Sequence, residues 1–103
     1  MVIFDDRRKT FEERFRHEED LRFKITARSN RLFGRWAANR LGLSGAEGDD
    51  YANSVVHAQF DEPGVVAKVG IDLRTNGIVA TDDQLRSELA RFSDEAERQI
   101  MAE

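Results

Sequence analysis

Leu21-Arg22-Phe23-Lys24-Ile25-Thr26-Ala27-Arg28-Ser29-Asn30-Arg31-Leu32-Phe33-Gly34-Arg35-Trp36-Ala37-Ala38-Asn39-Arg40-Leu41 is the stretch that decides the fold. Leu21, Ile25, Leu32, Phe33, Trp36, Ala37 and Leu41 form one wide apolar stripe at helical spacing, which predicts a core helix from about residue 21 to 42. From residue 4 to 41 only Gly34 weakens a helix. Upstream, Phe4, Phe11 and Phe15 share a different face, and Arg16-His17-Glu18-Glu19-Asp20 separates them from the core stripe. Acid-to-base pairs at i,i+4 (Asp5–Lys9, Glu12–Arg16, Glu18–Arg22 and Asp20–Lys24) support the same helix, each by roughly 0.2–0.5 kcal/mol. The reading is an arm, residues 1–19, followed by a folded part, residues 20–103.

Downstream, Ser44 and Glu47 have capping-box spacing and open a second helix that runs to Phe60, with Tyr51, Ala52, Val55, Val56 and Phe60 on one face. Asp61-Glu62-Pro63-Gly64 reads as a turn, with Pro63 at the first position of a third helix that turns Val66, Val69 and Leu73 inward. Gly70 weakens that helix by about 1 kcal/mol relative to alanine. Asn76-Gly77 stops it, and Thr81 with Gln84 caps a last helix whose seam is Leu85, Leu89, Phe92, Ala96 and Ile100. Ile78 and Val79 are too short a run for a strand. The expected fold is all-α: a small four-helix bundle with a flexible N-terminal arm.

Composition bounds the chemistry. The chain has 103 residues, 40% hydrophobic and 35% charged, with net charge −4. It has no cysteine, so disulfides, thiolate metal sites and a cysteine nucleophile are excluded. No run approaches 18 apolar residues, and Asp5 and Asp6 replace any apolar signal region, so a soluble intracellular protein with no membrane insertion is expected. His17 and His57 have no second ligand at helical spacing, no glycine-rich loop follows a strand, and no serine has a base at recognisable spacing. The expectation is a protein that is not an enzyme and carries no cofactor or metal.

Charge is uneven. Residues 1–41 hold eleven Lys or Arg against seven acids, and residues 42–103 five against thirteen. Between Asp20 and Glu47 there are six bases and no acid. Lys24, Arg28, Arg31 and Arg35 fall at i, i+4, i+7 and i+11. They read either as a solvated face that neutralises the acidic half or as a contact for an anion such as ADP or ATP. Nucleic acid is disfavoured, because the whole chain is acidic and the stripe lacks interleaved exposed aromatics. The arm has two readings as well. Its phenylalanines fold back on the bundle, or they bind another protein as a helix in a groove. A helix of that length is marginal alone, so the arm is expected to be disordered when free and helical when captured.

The arm Phe4-Asp5-Asp6-Arg7, Phe11-Glu12 and Phe15 is followed by Phe23-Lys24, Ala27-Arg28, Asn30, Leu32, Gly34, Trp36-Ala37-Ala38 and Leu41-Gly42, then by Tyr51-Ala52 and Val55-Val56. Together these residues resemble the ATPase inhibitor subunit zeta family of alphaproteobacteria. The resemblance covers nearly the whole chain and is most specific over residues 4–56. It implies a four-helix inhibitor of the catalytic head of the F-type ATP synthase. In that picture the N-terminal segment becomes helical at an α/β catalytic interface near the rotor and blocks ATP hydrolysis. It further implies a cytoplasmic protein, peripheral to the inner membrane through the synthase, with the α, β and γ subunits as partners. Carried onto this sequence, Phe4, Phe11 and Phe15 would be apolar anchors, and Arg7, Arg8, Glu12 and Arg14 would make charged contacts.

Overall fold

One helix, α1 (Ile3–Arg40), runs unbroken from the arm into the core. The computed structural model describes the backbone of residues 3–103, and the side chains of residue 10 and residues 12–103. At 1.5 Å per residue the 38 residues of α1 span about 57 Å. That rod accounts for most of the longest dimension, 66 Å against 26 and 20 Å across. α2 (Gly45–His57), a single 3-10 turn (Ala58–Phe60), α3 (Val65–Thr75) and α4 (Asp82–Met101) follow. Among the described residues there is no strand, and the all-α four-helix reading stands.

The core gathers around the second half of α1. Phe33 and Ala37 meet Val55 of α2, Val69 and Leu73 of α3, and Leu85 of α4, all fully buried. The Phe33 ring stacks on Trp36 at 5.7 Å, and Phe92 of α4 meets both rings at 6.5 Å. These are the apolar seams that the sequence predicts. Gly34 has a packing role as well. A Cβ there would lie 2.8 Å from the Ala52 Cα, so the missing side chain is what lets α1 and α2 approach this closely. Gly70 makes room for Arg74, whose guanidinium folds over it, donates to the Ala80 carbonyl at 2.9 Å and pairs with Asp82 at 3.5 Å. Tyr51 donates to Asp72 at 2.8 Å, and Lys68 reaches the same carboxylate at 3.1 Å, tying α2 to α3.

Four local expectations need correction. Thr81 and Gln84 form their capping box, but the Ser44 side chain makes no capping bond. Gly45 enters α2 with φ +59°, which keeps the Ser44 hydroxyl from closing over the residue 47 amide. Pro63 is not the first residue of α3; Gly64 takes the N-cap at φ 101° and the helix starts at Val65. Phe60 is 69% exposed, because α2 tightens into a 3-10 turn and the extra rotation carries residue 60 off the seam. Among the described residues no ion pair closes at Glu18–Arg22 or Asp20–Lys24. Both lie on a solvent-exposed turn, where fixing two long side chains costs about as much as the contact returns.

Candidate functional site

Two surfaces outside the core packing involve the expected site residues of α1. The first is the arm. Every described side chain from residue 12 to 20 is exposed, including Glu12, Arg14 and Phe15, and burial begins with Leu21. Phe15 is 58% exposed. The described part of the arm is therefore not folded back onto the bundle. The side chains of Phe4, Arg7, Arg8 and Phe11 lie outside the described residues. Their backbone is helical, so the i, i+7, i+11 register of positions 4, 11 and 15 is kept. The bundle end of α1 supplies the nucleus, which is the costly step. The arm therefore extends an existing helix, without tertiary burial to protect it over residues 12–20.

The second surface is a groove of about 460 Å³ at the root of the arm, between α1, the end of α2 and the end of α4. Its floor is Ala27, Val56 and Ile100, with Phe23 at one wall. Lys24, Arg28 and Arg31 line it together with Asn53 and His57. Arg28 pairs with Glu103 at 2.6 Å, and Arg31 donates to the Asn53 side-chain oxygen at 3.0 Å. Arg35, the fourth member of the basic stripe, is not in this group. It sits one turn further into the bundle, 3.6 Å from Asp49. The stripe thus divides into three cations on a groove and one on a surface ion pair. Phe23, Asn53, Val56, His57 and Glu103 were not singled out by the sequence as site residues. Their juxtaposition is made by packing between helices distant in sequence, and Phe23, 59% exposed between Arg22 and Lys24, corrects the expectation that the stripe has no interleaved exposed aromatic.

Neutralisation between the two halves of the chain is partial. Arg28 and Arg35 reach acids of the second half, whereas Arg22 and Lys24, nearest the arm, have no ion-pair partner among the described residues. The Trp36 ring is sandwiched in the core cluster, with the Arg40 guanidinium 4.9 Å from its centroid, and it does not line the groove. Burial, and secondarily the hydrogen bond to Asp72, pushes the Tyr51 hydroxyl well above its ordinary range. The described residues contain no cluster of three or more His, Asp or Glu side chains able to hold a metal ion, and no helix long and apolar enough to cross a membrane.

The chain is thus a small helical bundle with an exposed helical arm rooted beside a cationic groove. The family model for ATPase inhibitor subunit zeta matches residues 1–99, and the chain belongs to that family. Membership places it among ATPase inhibitor subunits, which are regulatory in kind. A search of curated proteins finds no match.

Proposed function

We propose that the chain inhibits ATP hydrolysis by the F-type ATP synthase, with residues 1–19 inserting as a helix at an α/β catalytic interface near the rotor. The observation that carries this reading is the family match together with an arm whose Phe15 stays uncovered on a helix continuous with the bundle. Phe4, Phe11 and Phe15 are the apolar anchors. Arg7, Arg8, Glu12 and Arg14 set orientation and encounter rate more than total affinity. Inhibition is mechanical: a helix wedged between subunits that must open and close stops the catalytic cycle. Residues 20–103 act as a folded anchor outside the cleft, on the cytoplasmic side of the membrane to which the synthase is bound.

Hydrolysis by the cognate catalytic head is the direct test. It falls on adding the full chain and recovers when residues 1–19 are deleted. The deletion leaves the core intact, because every buried residue among those described falls between Ser29 and Ile100. Hydrolysis unaffected by the full chain across a wide concentration range overturns the proposal.

The alternative is a nucleotide- or anion-binding sensor built on Lys24, Arg28, Arg31 and Arg35. It draws support from three of those cations lining one groove, with Arg35 outside it. Titration with ADP or ATP, followed on the backbone amides of Lys24 and His57, tests this reading. Trp36 fluorescence is a poor reporter, since that ring does not line the groove. No saturable change in the amides refutes the sensor.

A further inference from the structure

We infer that the groove at the arm's root is a second docking site, which takes an acidic segment with apolar side chains from the same catalytic head that receives the arm. The inference rests on the proposed function for the identity of the partner, and on four observations for the chemistry.

The groove combines an apolar floor with a cationic rim, so its complement is a peptide that carries carboxylates beside apolar side chains. The chain itself shows that a carboxylate fits. Glu103 seats its side-chain oxygen 2.6 Å from the Arg28 guanidinium, and Ile100 of the same turn packs into the floor. Room and charge remain: Lys24 has no ion-pair partner among the described residues, and Phe23 is 59% exposed. Finally, the groove lies on the same unbroken helix as the arm. Lys24 is nine residues beyond Phe15, about 14 Å along the axis and about 180° round it, so a head whose cleft encloses the arm on both faces reaches the groove at its rim.

A nucleotide fits less well. The ends of α2 and α4 that border the groove, at His57 and at Ile100–Glu103, are helix C-termini, whose dipoles oppose a polyphosphate. No helix N-terminus or glycine-rich loop faces the groove to cradle phosphate oxygens. A single carboxylate placed against Arg28 and Lys24 tolerates that field far better than a group of several charges.

The experiment measures the affinity of the full chain for the immobilised cognate head, for the wild type, Lys24→Glu, Glu103→Gln and, as arm control, Phe15→Ala. Lys24→Glu is expected to weaken binding about tenfold at low salt, with the difference shrinking as salt rises. Glu103→Gln is expected to tighten binding about two- to fivefold, because it removes an internal competitor whose surface ion pair is worth little to the fold. A gain of affinity cannot come from damaged folding. Wild-type affinity in both groove variants overturns the inference, and if Phe15→Ala weakens binding in the same series the arm reading survives that failure. Weakening by Lys24→Glu with no effect of Phe15→Ala supports the groove and removes the arm anchor. Saturable ADP or ATP shifts at Lys24 and His57, with head affinity untouched by Lys24→Glu, assign the groove to a small phosphate ligand and overturn the inference. Self-association of the free chain that Lys24→Glu abolishes, again with head affinity untouched, assigns it to a second copy and does the same.

Discussion

Replacing Gly34 by alanine tests whether the close approach of α1 and α2 depends on the missing side chain. Helix propensity alone favours alanine by about 1 kcal/mol at an interior position. The structure opposes it, since the new Cβ would stand 2.8 Å from the Ala52 Cα, 3.0 Å from the Val55 Cβ and 3.2 Å from the Ala52 carbonyl oxygen. Two of these neighbours are backbone atoms of a packed helix and cannot rotate away. Restoring ordinary contact requires the helices to separate by about 0.6 Å along that line, and overpacking of this kind costs about 1–3 kcal/mol. The net expectation is a loss of about 0–2 kcal/mol, or a fall in Tm of up to about 15 °C. Gly70→Ala is the internal control. The three atoms nearest its Cβ would all belong to the Arg74 guanidinium, from 2.9 Å, which can swing into solvent at the expense of its contacts with Ala80 and Asp82. The same substitution is therefore expected to be neutral or stabilising by up to about 1 kcal/mol there. Urea denaturation read by circular dichroism gives both values, with unchanged m confirming that the transition remains comparable. Equal effects at the two positions, or a gain at Gly34, would refute the close-packing argument.

Phe15→Ala is expected to leave the melting temperature within about 2 °C of wild type, because the ring is exposed, and to raise the concentration for half-inhibition of ATP hydrolysis by about 10- to 100-fold through lost burial in the partner. An unchanged inhibition curve removes Phe15 as an anchor. Thr81→Ala should cost about 1 kcal/mol through loss of a formed capping box, whereas Ser44→Ala should cost only a few tenths, since no side-chain cap is present to lose; thermal melts of the two variants compare them directly. Tyr51 retains its proton in the fold at pH values where the unfolded chain, with its ordinary value near 10, has released it. The folded state thus binds more protons, so stability declines as pH rises above about 10, and Tyr51→Phe should flatten that decline while losing about 1 kcal/mol near neutrality. Urea midpoints from pH 8 to 11 test the slope, and an identical slope in the variant counts against the assignment.

The fold was legible wherever its signal is local. Stripe residues Phe33 and Ala37, the seam through Val69 and Leu73, and the Thr81–Gln84 cap each depend on neighbours within one or two helical turns. The failures share a cause. Ser44 has the right spacing and the extended backbone of an N-cap, but the left-handed Gly45 that follows it leaves its side chain without a capping bond. Phe60 continues the apolar face of α2 in sequence, yet the helix tightens before reaching it. The groove shows the same limit at the level of the site. Lys24, Arg28 and Arg31 are visible as a helical stripe, but only tertiary packing brings Asn53, His57 and Ile100 beside them, and only packing leaves Arg35 out.

The charge asymmetry takes its meaning from position along α1. Within the bundle each base of α1 has a partner: Arg28 meets Glu103, Arg31 donates to Asn53, Arg35 meets Asp49 and Arg40 lies over the Trp36 ring. Arg22 and Lys24, nearer the arm, have no such partner among the described residues and face solvent. Exposed pairs of this kind contribute about 0–1 kcal/mol each, so neutralisation is not what holds α1 in place; the buried stripe around Phe33 does that. Charge on the outer part of α1 is then nearly free of structural duty. Reversing it at Lys24 changes the potential presented to a partner while leaving the core untouched, so binding and stability can be perturbed separately in one protein. The gradient from satisfied to unsatisfied bases runs toward the arm, the direction from which an acidic surface would arrive if the arm leads the way into its cleft.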